Sequence, residues 1–307
     1  MNYTLNQLRI FLKVVEQKSI TKASEELHLT QPAVSIQIKN FQDQFDIALL
    51  EKIGRQIQVT NFGNEVAESC RVILKEIEKV ENRKMAYLGH VTGTLHVSVV
   101  STGKYVMPYF FSEFMEKYPG IQLNMDVTNK SKVVQSIEKN EVDFSLVSVL
   151  PKGFAIEQTT LMKNKLFLVA KKGKLGNAAL VLPKHLEEVT LLIRENGSAT
   201  RMAMEAYLRK NKVQVNRSME LTSNEAIKQA VLAGLGYSIM PLIGIRTELK
   251  NGDLEIIELK GLPLVTDWNL IWLKSKSLSP AAQAYFKYIE EKKEEIIESH
   301  FSWYAKF

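Results

Sequence analysis

The chain has 307 residues, 45% hydrophobic and 24% charged, with a net charge of +6, which is the composition of a folded chain of roughly two domains. A single cysteine excludes an internal disulfide framework and any multi-cysteine zinc site, and five histidines without ligand spacing predict no metal. No run reaches the ~18–20 apolar residues of a membrane span, and Arg9, Lys13 and Glu16 interrupt any signal-peptide core, so the sequence predicts a cytoplasmic protein with no membrane partner. Residues 1–60 carry seven Lys and Arg against six Asp and Glu. Charge alone therefore does not mark the N-terminal part as a polyanion binder; residue placement must do so.

Leu5, Leu8, Ile10, Phe11, Leu12, Val14 and Val15 recur at helical spacing and predict a helix over 5–17 with a wide buried stripe. A short second helix follows, with Thr21 in position to cap it and Ala23 and Leu27 facing inward. After a tight turn at His28-Leu29, Thr30 is the expected N-cap of a third helix. Its Pro32 falls in the first turn, where the missing N–H costs little. That helix is expected to run to about Phe45, packed through Ala33, Val34, Ile38, Phe41 and Phe45.

The opposite side of this third helix holds Gln31, Ser35, Gln37, Lys39 and Asn40. Two helices joined by a tight turn, the second opened by Thr-Gln-Pro and bearing short polar side chains, form a helix-turn-helix. Its second helix enters a major groove by its N-terminal end, where glutamine pairs with adenine and backbone N–H groups bind phosphate. The candidate DNA contacts are Thr21, Lys22, Thr30, Gln31, Pro32, Ser35, Ile36, Gln37 and Lys39. Residues 46–60 add a two-stranded ribbon in which Ile53, Ile57 and Val59 flank Gly54-Arg55-Gln56. Such a ribbon is a wing, and Arg55 at its tip is placed to enter a minor groove or grip phosphate.

From Leu8-Arg9-x-Phe11, through Ser19 to Ser35, to Gly54-Arg55 and Val59-Thr60, the chain resembles the LysR-type transcriptional regulators. It departs from their usual pattern at Ile36, where arginine is common, at Asp46, where glycine is, and at Leu50, where phenylalanine is. Ile36 removes a cation and offers only apolar contact, such as with a thymine methyl.

From Phe62 a long helix is expected, with Val66, Cys70, Ile73, Ile77 and Val80 at 4-3-4-3 spacing. Such a seam pairs two chains in the manner of a coiled coil. No other apolar segment is evident nearby to receive it, and the resemblance independently implies a dimerising linker, here 61–90. Cys70 is read as core filler rather than a redox sensor.

Beyond Thr92-Gly93-Thr94, strands and helices alternate, which argues for α/β with largely parallel sheets over 91–307. The resemblance extends over essentially the whole chain. It implies two Rossmann-like lobes, about 91–164 with 269–307 and about 165–268, joined by two crossings near 163–165 and 267–270, like a periplasmic binding protein. In open α/β sheets ligands sit beyond the carboxyl ends of strands. Three such junctions carry hydroxyl and amide groups: Ser101-Thr102-Gly103, the loop Asn196–Thr200 with Ser198 and Thr200, and Thr222-Ser223-Asn224, with Asn129 and Ser148 at other strand ends. Each by itself suits plain N-capping; the family's effector cleft implies joint use, and the chemistry suits a small anion.

Catalytic signatures are missing from the sequence. Ser101-Thr102-Gly103-Lys104 differs from a phosphate loop, because Ser98 stands where glycine is needed and Tyr105 where Ser or Thr is needed, and there is no Gly-x-Ser-x-Gly elbow. The sequence therefore predicts a non-enzymatic regulator without a cofactor: a winged helix-turn-helix, a linker helix and a two-lobed effector domain. Its partners would be double-stranded DNA, a small anionic metabolite and a second copy of the chain. By resemblance, dimers pair into a tetramer, and lobe closure alters DNA bending or RNA polymerase contact. An architectural DNA-binding protein without an effector, or an enzyme on a binding-protein fold, are the alternatives. The segment from Arg194 to Arg201 is similar to regulators of carbon-fixation and sulfur-assimilation genes. The C-terminal FSWYAKF packs on a lobe, on a neighbouring subunit, or frays.

Overall fold

The computed structural model describes residues 2–53, 56–87, 91–174 and 182–307. The chain divides into two compact units, Met1–Gly89 and His90–Phe307.

In the first unit, α1 (Leu5–Gln17) opens on a reciprocal cap in which the Thr4 hydroxyl accepts from the Gln7 N–H and Gln7 Oε1 accepts from the Thr4 N–H at 2.8 Å. Its stripe from Leu8 to Val15 is buried, but Leu5 at the helix start stays 42% exposed. Helix α2 (Ile20–Glu26) is capped by Ser19 and not by Thr21. Ser19 has the extended backbone a cap requires, and its Oγ accepts from the Lys22 N–H, so the helix starts earlier than expected and Thr21 lies within its first turn. His28 takes φ +53° in the turn, and α3 (Gln31–Gln42) begins at the Thr30 cap with Pro32 in its first turn. It ends three residues before Phe45, which instead sets its ring 5.2 Å from Phe41 and 5.9 Å from Phe62.

Strands β1 (Leu50–Ile53) and β2 (Gln56–Val59) pair antiparallel as the expected ribbon. Its tip, with Gly54 and Arg55, lies outside the described residues. The long helix α4 (Asn61–Tyr87) follows, opened by Thr60, whose hydroxyl oxygen accepts from the Gly63 N–H at 2.8 Å.

The seam expected to pair two chains is divided. Cys70 is buried in the first unit's own core with Ala67, and Val66 and Leu74 pack against that core, whereas Val80 is 64% exposed and Ile73 40%. The face that α4 turns inward is Gly63, Ala67, Cys70 and Leu74. Counting only large apolar residues hid it, because glycine and alanine are what let two helices approach closely. Val66 and Cys70 are thus occupied within one chain, while among the described residues Val72, Ile73 and Val80 stay exposed and Ile77 half-buried.

In the second unit, β3 (Gly93–Val100), α5 (Met107–Lys117), β4 (Ile121–Thr128), α6 (Lys130–Glu138) and β5 (Phe144–Val147) build the first lobe. Strand β3 pairs parallel with both β4 and β5. Strand β6 (Ile156–Lys171) then crosses into the second lobe, made of β7 (Thr190–Arg194), α7 (Ala199–Lys210), β8 (Arg217–Leu221), α8 (Asn224–Leu232), β9 (Ser238–Pro241), α9 (Arg246–Asn251) and β10 (Leu254–Ile257). Strand β11 (Leu264–Leu273) crosses back, and α10 (Pro280–Phe301) packs on α5 through Tyr285, whose ring stacks 4.7 Å from Phe111.

The lobes' own strands β3–β5 and β7–β8 are parallel, but the shared strands are antiparallel to each other and to β5, β9 and β10. One continuous sheet therefore runs in the order β10-β6-β11-β5-β3-β4, with β9 on β6. The change of lobe falls at Met162–Leu166 against Leu264–Trp268, next to a bulge between Trp268 and Asn269.

Of the three fates open to FSWYAKF, the chain takes the first. Residues Ser302–Lys306 form one 3-10 turn, and the buried Tyr304 accepts from the Lys165 N–H at 2.7 Å, on the crossing strand itself. Burial pushes the Tyr304 phenol up to about 12.

A methyl group at Gly63 would sit 2.1 Å from the Leu49 carbonyl oxygen. Gly63→Ala is expected to destabilise the first unit by at least about 1–3 kcal/mol, the usual cost of overpacking. Chemical denaturation followed by circular dichroism checks this, and wild-type stability would rule out the close approach of α4 to Leu49.

Candidate DNA-reading helix and candidate effector cleft

Helix α3 buries Val34, Ile38 and Phe41 and turns the rest outward. Burial of these three side chains stabilises the docking by about 1.5–3 kcal/mol each, and no polar residue of the helix is needed for it. Gln31, Pro32, Lys39 and Asn40 are exposed, and Ser35 and Gln37 half-exposed. The Thr30 hydroxyl is used in capping Ala33, while Thr21 and Lys22 are exposed on the first turn of α2. Ile36 is 57% exposed in the middle of this face. An isoleucine left in water at a position flanked by hydrogen-bonding groups suits an apolar contact made on binding. Arg55 lies outside the described residues.

In the second unit the expected junctions divide into those that meet and those that cap. Ser101, just past β3 in the first lobe, meets two groups of the second: its Oγ accepts from Asn224 Nδ2 at 2.9 Å and from Arg194 Nη1 at 3.3 Å. Arg194 and Asn224 are 4% and 5% exposed, so this contact is made out of water. The Arg194 guanidinium is otherwise held by its neighbour Glu195, with Nε and Nη2 donating to the two carboxylate oxygens at 2.7 and 2.8 Å. Ser198, buried, caps α7, and Asn129 caps α6 by accepting from Lys132. Thr102 is buried beside Ser101, and Ser148 and Thr200 are half-buried. Among the described residues these three add no hydrogen bond to the cluster.

Three further contacts join the lobes. The Tyr105 hydroxyl donates to Glu225 Oε2 at 3.2 Å, one residue past Asn224, so the turn after β3 docks twice on the start of α8. Burial, with the Glu225 carboxylate beside it, pushes the Tyr105 phenol up to about 12. At the other side, Gly197 with φ +85° brings the loop before α7 against α6: a side chain there would meet Ser131 Oγ at 2.7 Å. Next to it Lys130 reaches Met202 of α7 at 3.8 Å. Burial and the nearby Lys152 cation lower the Lys130 pKa, and among the described residues no carboxylate pairs with it.

Sequence reasoning named Ser101, Asn224, Ser198 and Asn129 but missed Arg194, Glu195, Lys130 and Tyr105 as site groups. Arg194 carried a usable signal: it is the charged end of an otherwise apolar strand, TLLIR, at the carboxyl edge where ligands bind. Lys130 and Tyr105 carried none, because only the meeting of two lobes gives them a role.

Residues 5–64 match the family described as "Bacterial regulatory helix-turn-helix protein, lysR family", and residues 88–294 match "LysR substrate binding domain". The chain is 36% identical over 291 residues to the RuBisCO operon transcriptional regulator of Allochromatium vinosum, covering 94% of this chain and 96% of the relative. It is 35% identical to the HTH-type transcriptional activator CmpR of Synechocystis, covering 94% and 95%. Among solved structures, the Synechocystis CcmR regulatory domain in complex with 2-PG is 30% identical with a TM-score of 0.62, covering 66% of this chain and 98% of that one. Full-length CbnR complexed with its target DNA has a TM-score of 0.70 at 20% identity, covering 94% and 99%, which is a likeness of fold.

Removing Arg194 would leave the Glu195 carboxylate, itself 15% exposed, without its bidentate partner. Arg194→Ala is expected to destabilise the second unit toward the lower end of roughly 3–5 kcal/mol, and the double variant Arg194→Ala/Glu195→Ala to recover part of that loss. Equal stability of all three forms in urea would contradict the paired burial.

Proposed function

Because the chain belongs to the LysR family of bacterial regulatory helix-turn-helix proteins, we propose that α3 reads operator DNA and that a small anionic metabolite bound between the lobes controls it. One observation carries the DNA-reading assignment. The flank of α3 that holds Gln31, Ser35, Gln37 and Lys39 stays open to solvent while the opposite stripe provides all the burial. A second copy of the chain completes the reading surface, since a two-fold operator needs two reading helices. The exposed Val72, Ile73 and Val80 with half-buried Ile77 are apolar groups that the described part of α4 offers to it. Further pairing of dimers, RNA polymerase contact and action in the cytoplasm without a cofactor complete the reading.

For the effector, Ser101 and Lys130 of the first lobe and Arg194 and Asn224 of the second supply donors along the boundary between the lobes. A bound anion would replace the direct contact between Ser101 and the second lobe and so change how closely the lobes stand. The relative whose regulatory domain is complexed with 2-PG supports control by a small metabolite. The segment from Arg194 to Arg201 and the named relatives support target genes in carbon fixation or sulfur assimilation.

Gln31→Ala and Ser35→Ala are each expected to reduce the preference for the operator over random duplex by roughly 1–3 kcal/mol, whereas Lys39→Ala should weaken both about equally and flatten the salt dependence. Competition binding at two salt concentrations separates these outcomes. Equal loss on operator and random DNA for Gln31→Ala would contradict a reading role. On the effector side, 2-PG or a similar anion should raise the unfolding temperature of the wild type and fail to do so for Ser101→Ala. An identical rise in that variant would place the ligand elsewhere.

A further inference from the structure

The outer side of the second unit holds a groove that the regulatory reading does not use. A cavity of about 410 Å³ lies between α9 and the turn after α10, lined by Arg246, Leu249, Lys250, Ile256, Trp303 and Phe307. That volume is in the range of small-ligand pockets, ~300–1,000 Å³. Four lining side chains are apolar, two are cations and none is acidic. Among the described residues neither Arg246 nor Lys250 has an ion-pair partner, because Glu248 on the same helix is taken by Lys228 at 2.8 Å. Arg246 lies over the Trp303 ring, 4.7 Å from its centroid, which leaves Lys250 as an uncommitted charge at the rim. Trp303 presents its ring to the groove, while its indole N–H is shielded from solvent.

We propose that this groove is a second ligand site, for a small amphipathic anion whose acyl or aryl body lies against Leu249, Ile256, Trp303 and Phe307. Its carboxylate meets Lys250 and Arg246. An apolar trough alone would take any grease, and a pair of surface cations any anion; the juxtaposition of the two selects a molecule that has both parts joined. None of the lining residues belongs to the cleft cluster of Ser101, Arg194 and Asn224, so the site is separate from the proposed effector position.

The location also gives the ligand something to act on. Trp303 and Phe307 belong to the segment that Lys165 holds: its backbone N–H donates to the Tyr304 hydroxyl at 2.7 Å and its Nζ to the Phe307 main-chain oxygen at 2.6 Å. One wall of the groove therefore hangs from the first lobe's α10 and is pinned to a crossing strand, and the other is the second lobe's α9. A ligand seated between them ties the two lobes together at a point away from the cleft.

Calorimetric titration of the full-length chain with octanoate, acetate and 1-octanol tests the site. Octanoate is expected to bind saturably, one per chain, with acetate and octanol at least about tenfold weaker, the factor expected for losing one charge-assisted contact or the apolar body. Lys250→Gln should weaken octanoate about tenfold without lowering the unfolding temperature, Trp303→Phe should abolish the accompanying change in indole emission, and Ser101→Ala should bind octanoate as the wild type does. Octanol binding as tightly as octanoate, an unchanged octanoate affinity in both Lys250→Gln and Arg246→Gln, loss of binding in Ser101→Ala, or no binding at all would each overturn the proposal. Loss of binding in Ser101→Ala would place octanoate in the cleft; the other outcomes leave the cleft reading untouched.

Discussion

Helix α3 has a single apolar stripe, Val34, Ile38 and Phe41, and the packing of the first unit consumes all of it, with Phe41 set 5.1 Å from Phe11 of α1. Because those three side chains, with Gln42 accepting from the Leu50 N–H, hold the helix, its outward positions are released from duty to the fold. That freedom is what a sequence reader requires: residues facing the DNA can change with the operator while the helix stays put. It also explains why the face tolerates Ile36, an exposed apolar side chain that no packing demand accounts for. The turn that sets α3 against α2 relies on His28 at φ +53° and on the Thr30 cap, so the orientation of the reading helix is fixed by local backbone chemistry as well as by the core.

A different constraint organises the second unit. Two long strands, β6 and β11, serve both lobes and run antiparallel across the junction, so the lobes share backbone hydrogen bonds and can change their relation only by bending that pair. The bulge at Trp268 and Asn269 lies there, and so does the Lys165 contact with the turn after α10. On the cleft side, the segment from Ser101 to Tyr105 touches the start of α8 twice, through Asn224 and Glu225. The resting contact is thus made of polar groups that an anion can exchange for its own. Arg194 is already satisfied by Glu195, so an anion bound as proposed would have to compete with that carboxylate.

Much of this was legible in the chain because it rests on local rules. Helical spacing gave α1, Thr30 and Pro32 gave the start of α3, and the strand–helix alternation gave the α/β character and the junction residues Ser101, Ser198 and Asn224. What escaped depended on partners distant in sequence. The inward face of α4 was misjudged because Gly63 and Ala67 look unremarkable until Leu49 is placed against them. Thr21 was read as the cap of α2 because it is a good capping residue only two positions beyond Ser19, and the backbone angles decide between them. The shared antiparallel strands were hidden because β6 begins in polar sequence, Ile156 to Thr160, that acquires strand character only by pairing with Asn269 to Leu273. Arg194 and Lys130 became site groups only when two lobes, built from separate stretches, closed on one another.

The two units meet functionally in one demand: the exposed flank of α3 must discriminate among base pairs. Selection of duplexes from a random library by the purified full-length chain at moderate salt measures this directly. The outward disposition of Gln31, Ser35 and Gln37 predicts convergence on a sequence with two-fold symmetry. Retained duplexes with the base composition of the starting pool would show instead that the chain holds DNA by its phosphates alone.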